Sequence, residues 1–202
     1  MMIFVLLLFI LSGFGFVVQD FIPSIDWAWH ARIFIVPVIF FACAISLPYP
    51  VMLLFAFATG FVWDALNHVS LQFPDVARVA IEVGAVPPGA GAPFGFTIFL
   101  YGLLGSLMHG IRPLFRRGRW ELPVLMTGAG TFLLLTLDYV FINFRRGGFH
   151  FPLEVWHHIG ATAVLSMIVA PFVFLLINWL AKISGYSIRY EGLSRRRWSL
   201  PK

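Results

Sequence analysis

Two carboxylates sit in stretches otherwise too apolar to carry charge. Asp64 ends the run Gly60-Phe61-Val62-Trp63-Asp64, and Asp138 lies in Thr136-Leu137-Asp138-Tyr139. An ionisable group inside a membrane helix is costly and marks a functional or packing position by default. Each has a polar stripe at helical spacing. Ala56, Gly60, Asp64 and His68 recur every four residues, and Thr127, Thr131 and Asp138 share one helix face. A third apolar stretch opens with His157-His158, from which His158, Thr162 and Ser166 recur every four. Convergence of these faces would bring Asp64, His68, Asp138 and His157 or His158 into one cluster. Three chemistries compete for it: hydrogen bonds that fix helix packing, a pocket for a ligand or partner, and a metal or proton path. Aspartate and histidine both ligate zinc, but single residues on separate helices have no diagnostic ligand spacing. No metal ligand, cofactor site or catalytic residue is assigned.

Catalytic signatures point the same way. The H-E-x-x-H pattern of zinc peptidases and the G-x-S-x-G nucleophile elbow are both missing from the sequence. Ser12, Ser106 and Ser166 have no evident paired base, so the expectation is a protein that is not an enzyme. A transporter needs no short motif, because unwound helices can build its site. The lack of a two-half repeat argues against a self-sufficient carrier. Small residues at Ala56/Gly60, Gly102/Gly105/Ser106 and Gly128/Gly130 mark places where helices can approach closely.

Helices must position these residues, and the composition says in what solvent. The 202-residue chain is 60% hydrophobic and 11% charged, against roughly 45–50% and about 25% in ordinary globular domains. A soluble chain this short cannot bury so much apolar surface. The predicted class is an all-α polytopic membrane protein. Six apolar runs are expected to be helices: Met2–Val18, Ile33–Leu47 with a kink at Pro37, Pro50–Leu66, Pro93–Ile111, Leu122–Phe144 and Val155–Leu180. The first has no basic leader and no small-residue cleavage site, so it reads as a retained helix. Residues 1–182 form one transmembrane domain and 183–202 a basic cytoplasmic tail. The lone cysteine, Cys43, excludes a disulfide framework.

Charge orients the spans. With six crossings, Arg112, Arg116, Arg117, Arg119, Lys182, Arg189, Arg195, Arg196, Arg197 and Lys202 fall on the side of the termini. Only Arg32, Arg78, Arg145 and Arg146 fall opposite. The positive-inside rule puts both termini in the cytoplasm. Arg116, Arg117 and Arg119, and Arg195, Arg196 and Arg197 beside Trp198, are expected to meet anionic lipid headgroups rather than nucleic acid. On the outer side, Val76, Val79, Ala80 and Val83 oppose Asp75, Arg78 and Glu82. This pattern predicts a short amphipathic helix between the third and fourth spans.

One segment carries a family resemblance. Pro48-Tyr49-Pro50-Val51 through Phe61-Val62-Trp63-Asp64 forms a short turn, an apolar helix, and a glycine followed four positions later by an aspartate. With Pro93-Phe94-Gly95-Phe96 opening a later helix and the Arg-rich loop after it, this resembles the rod shape-determining protein MreD family. The resemblance runs from about Ile33 to Ala181. It implies a non-enzymatic inner-membrane component of the bacterial elongation machinery, acting with MreC, MreB and wall-synthesis enzymes. It also singles out Gly60 and Asp64. The stretch between Asp64 and Pro93 is longer than in that family, and the basic tail is extended. A different class has similar size and helix count: the substrate-binding subunits of energy-coupling-factor vitamin transporters, in which the polar cluster would be the pocket.

Overall fold

The computed structural model describes residues 2–72, 93–112, 121–146 and 152–186. Six α-helices lie among them: α1 (Met2–Phe21), α2 (Ile35–Ser46), α3 (Tyr49–Gln72), α4 (Phe96–Ile111), α5 (Glu121–Arg146) and α6 (Leu153–Ile183). The expected helix near Asp75–Val83, the arginines at 116, 117 and 119, and those at 195–197 lie outside the described residues.

The chain is all-helical, and α1, α3, α5 and α6 are each long and apolar enough to cross a membrane; α2 and α4 are apolar but shorter. Only 28–33% of each long apolar window is buried within the fold, so most of that apolar surface faces outward. Ile3, Leu6, Ile10, Phe14 and Val17 line the outside of α1, and Val164, Ile168, Phe172 and Leu175 that of α6. A belt of this size suits lipid and not water. The fold is therefore that expected of a polytopic membrane protein.

The sequence of α2, Ile35-Val36-Pro37-Val38-Ile39-Phe40-Phe41-Ala42-Cys43-Ala44-Ile45-Ser46, is apolar on every side, and a helix with no polar face belongs in an interior. Every residue from Val36 to Ser46 is buried. α2 touches each of the other five helices. They ring it in the order α3, α4, α5, α6, α1, and Phe9–Phe55 and Phe16–Trp63 ring contacts close α1 against α3. Pro37 does not kink α2. It occupies the first turn, where no intrahelical N–H bond is lost.

A buried helix leaves orphan N–H groups at one end and orphan C=O groups at the other. Here side chains from the ring answer both. Gln19 of α1 accepts from Ile35 N–H at 2.7 Å and donates to Ile33 C=O at 3.0 Å. Ser166 of α6 accepts from Phe34 N–H at 3.3 Å. At the other end, the Arg112 guanidinium, beyond the last turn of α4, donates to Leu47 C=O at 3.1 Å and Ser46 C=O at 3.3 Å. His109 Nδ1 lies 3.4 Å from Ala44 C=O. The cationic group at the C-terminal end also opposes the negative pole of the helix dipole.

Consecutive helices alternate in direction, so α1 and α3 run parallel where they meet, Phe9 against Phe55 and Phe16 against Trp63. Gly15 faces Ile39, and Gly128 faces Met167. α6 ends in a Schellman turn, with Tyr186 N–H to Ala181 C=O and Gly185 N–H to Lys182 C=O. Tyr186 then stacks on Phe4 at 4.6 Å, joining the end of α6 to the start of α1.

Gln19→Ala strips both bonds from a buried site. It should destabilise the detergent-solubilised protein by about 2–4 kcal/mol, at about 1–3 kcal/mol for each buried group left unpaired. Exposed Asp20→Ala should stay within about 0.5 kcal/mol. Thermal or denaturant unfolding followed by circular dichroism checks the difference.

Candidate functional site

The joint between α3 and α4 is built from the residues at 60, 64 and 93–96. Gly60 meets α4 backbone to backbone: a Cβ there would stand 2.5 Å from Ile98 Cα and 2.8 Å from Ile98 N. No larger residue fits without the helices parting. One turn on, the buried carboxylate of Asp64 accepts from Gly95 N–H at 2.7 Å. Pro93-Phe94-Gly95-Phe96 forms a turn closed by Phe96 N–H to Pro93 C=O at 3.1 Å. Gly95 is its third residue, with φ +96° and ψ −15°, the conformation a type II turn requires and L side chains rarely adopt. That turn leaves the Gly95 N–H unused, and it points to Asp64. The carboxylate thus sits at the N-terminal pole of α4, where the helix dipole favours negative charge. Phe61 packs edge-on against Phe94 at 5.5 Å.

The second carboxylate comes from α5. Phe96 stacks on Phe141 at 3.8 Å, which sets the level of α5 against α4. Asp138 is one turn before Phe141, so it lies one turn deeper in the bundle than Phe96. It is half-buried and within electrostatic range of Asp64. The Tyr101 hydroxyl of α4 is within range of both carboxylates. Tyr101 is fully buried, its ring edge-on to Phe40 at 4.7 Å. Its hydroxyl has no hydrogen-bond partner among the described residues, and neither has that of Thr136 on α5. No known family model, curated protein or solved structure matches this chain.

The histidines serve elsewhere. His158 Nδ1 donates to Trp29 C=O at 3.0 Å, and His157 packs against the Trp29 ring at 5.1 Å. Trp29 and His30 both have positive φ, at 53° and 55°, in a loop pinned by Ile25 N–H to Ala31 C=O at 2.9 Å. The α6 histidines brace that loop. The side chain of His68 lies outside the described residues. Among the described residues no three His, Cys, Asp or Glu side chains form a metal-holding group. Thr127 and Thr131 are buried, each donating to the carbonyl four residues back, Pro123 and Thr127.

Sequence reasoning did not single out Gln19, Tyr101 or Arg112 as site residues. Gln19 carried a signal, as the uncharged polar residue between the end of the first apolar run and Asp20. Arg112 was read only as a topology charge. Tyr101 had none, because an interfacial and a buried tyrosine look alike in sequence.

Two glycines test the joint. Gly60→Ala should cost about 1–3 kcal/mol, the usual range for overpacking. Gly102→Ala, with nothing within 4 Å of the added Cβ, should be neutral or stabilise by up to about 1 kcal/mol through helix propensity. Unfolding midpoints of the two purified variants decide it.

Proposed function

We propose that this chain is an integral component of the bacterial cell-elongation machinery in the inner membrane. It would be a non-enzymatic helical scaffold acting with MreC-like and MreB-like proteins and peptidoglycan-synthesis enzymes, as resemblance to the rod shape-determining protein MreD family implies. One observation carries the reading. The two stretches on which the resemblance rests, Gly60–Asp64 and Pro93–Phe96, meet in a single joint although Asp64 and Gly95 are 31 positions apart. A glycine, an aspartate and a turn glycine that depend on one another physically are a better family mark than three apolar helices would be. The scaffold performs no reaction. Its free energy of assembly comes from helix packing and from the loop that leaves α3 and returns at Pro93.

In this reading all six helices cross the membrane, and the end bearing Asp64 faces outward. Trp27 and Trp29, both exposed at that end, suit the aromatic belt of a membrane interface. Alkaline phosphatase joined after Arg119 should be inactive, and joined after Gly148 active. Activity after Arg119 would invert the orientation.

The functional test is depletion of the native chain in its rod-shaped host, followed by complementation. Loss should round the cells. Asp64→Ala should fail to restore rods although the protein still fractionates with the membrane. Asp64→Asn, which keeps an acceptor for Gly95 N–H, should restore them in part. Cells that remain rods on depletion but lose uptake of a vitamin would replace the scaffold with the transporter-subunit reading.

A further inference from the structure

We propose that Asp64, Asp138 and Tyr101 form a binding site, between α3, α4 and α5, for one small cation bearing a single positive charge: a sodium ion or a proton. The inference is independent of the scaffold reading. It rests on two pins and an orphan. The Asp64–Gly95 bond fixes α3 against the start of α4, and the Phe96–Phe141 stack fixes α5 against the same point. Asp138 lies three residues before Phe141, about 4.5 Å deeper along the axis. Tyr101 lies five residues after Phe96, but a helical side chain slopes back toward its own N-terminus. Its hydroxyl therefore returns toward the level of the two carboxylates, and all three groups act on one another electrostatically.

The chemistry follows from what each group lacks. One oxygen of Asp64 is taken by Gly95 N–H. Asp138 makes no hydrogen bond or ion pair with another described residue. The Tyr101 hydroxyl is fully buried with no hydrogen-bond partner among the described residues. A buried unpaired hydroxyl calls for a bound group to complete it, and two carboxylates sharing a low-dielectric site repel unless a positive charge lies between them. Among the described residues, no Lys or Arg acts on Tyr101 or Asp138. The charges acting on Tyr101 there are Asp138 and Asp64, and the one acting on Asp138 is Asp64. α1 has no charged residue before Asp20. α2 brings Phe40 and the buried Cys43. α6 has no Asp, Glu, Lys or Arg between Glu154 and Lys182, and its two histidines are engaged with Trp29. Two carboxylates and a hydroxyl are hard oxygen donors but too few for calcium, which takes 6–8. A monovalent ion asks for less.

The test uses the full chain in detergent, in a choline-based buffer. In one arm sodium is titrated at fixed pH, reading bound radioactive sodium and the thermal midpoint. In the other, pH is lowered without sodium, reading proton uptake and the midpoint. The proton arm is read as the difference between wild type and Asp138→Asn. One equivalent of sodium bound, with a rising midpoint, identifies the metal ion. A response to pH alone that disappears in Asp138→Asn identifies the proton. Tyr101→Phe keeps the ring on Phe40 and should weaken either response about tenfold, the loss of one hydrogen bond to a charged group. A wild-type protein indifferent to both cations would overturn the site. So would an unchanged response in Asp138→Asn or, if that variant does not fold, in Tyr101→Phe.

Discussion

A fully buried helix in a membrane protein has no water at either end, and the fold is organised around that constraint. In lipid each unpaired backbone group costs several kcal/mol. At 12 residues α2 is about 18 Å long, well short of the roughly 30 Å hydrocarbon core. Its two ends are therefore closed by side chains of the ring. Gln19 and Ser166 close one end, Arg112 and His109 the other. Three ring helices are thereby placed relative to the hub by hydrogen bonds, which have direction, and not only by apolar contact, which has little. Small residues then set how closely the ring approaches. Gly105 lies against Phe40 and Met52, and Gly130 against Phe41 and Met108.

The joint between α3 and α4 repeats the principle at smaller scale. Asp64 is a costly residue in a membrane helix, made tolerable by an unused N–H at a helix N-terminus. That N–H exists because Gly95 can adopt φ +96°, and it comes within reach because Gly60 lets the two backbones touch. Each residue makes sense only with the other two. The bond also ties the base of the long connection that follows α3.

Much of the architecture was legible in the sequence. Six apolar runs became six helices, because a helix that satisfies its own backbone is the simplest element in an apolar solvent. The turn expected at Pro48-Tyr49-Pro50 is tighter than that: α3 begins at Tyr49, and only Leu47 and Pro48 separate it from α2. The kink expected at Pro37 is absent, because α2 starts two residues later than the apolar run does and proline falls in its first turn. Of the expected polar cluster, Asp64 and Asp138 share a neighbourhood. His157 and His158 instead support a loop whose two consecutive left-handed residues, Trp29 and His30, have no signature in sequence.

Composition and periodicity alone determined that this chain is helical, that its helices carry an apolar exterior, and that Asp64 and Asp138 are exceptional. Those properties depend on residue type and on spacing within one segment. Tertiary structure alone decided which helix is the hub, that Asp64 answers Gly95 rather than a histidine, and that Tyr101 is buried within electrostatic range of two carboxylates. Such pairings depend on the rotation and depth of one helix against another. Apolar faces fix rotation and depth weakly, and here a few directional bonds between distant residues settle them.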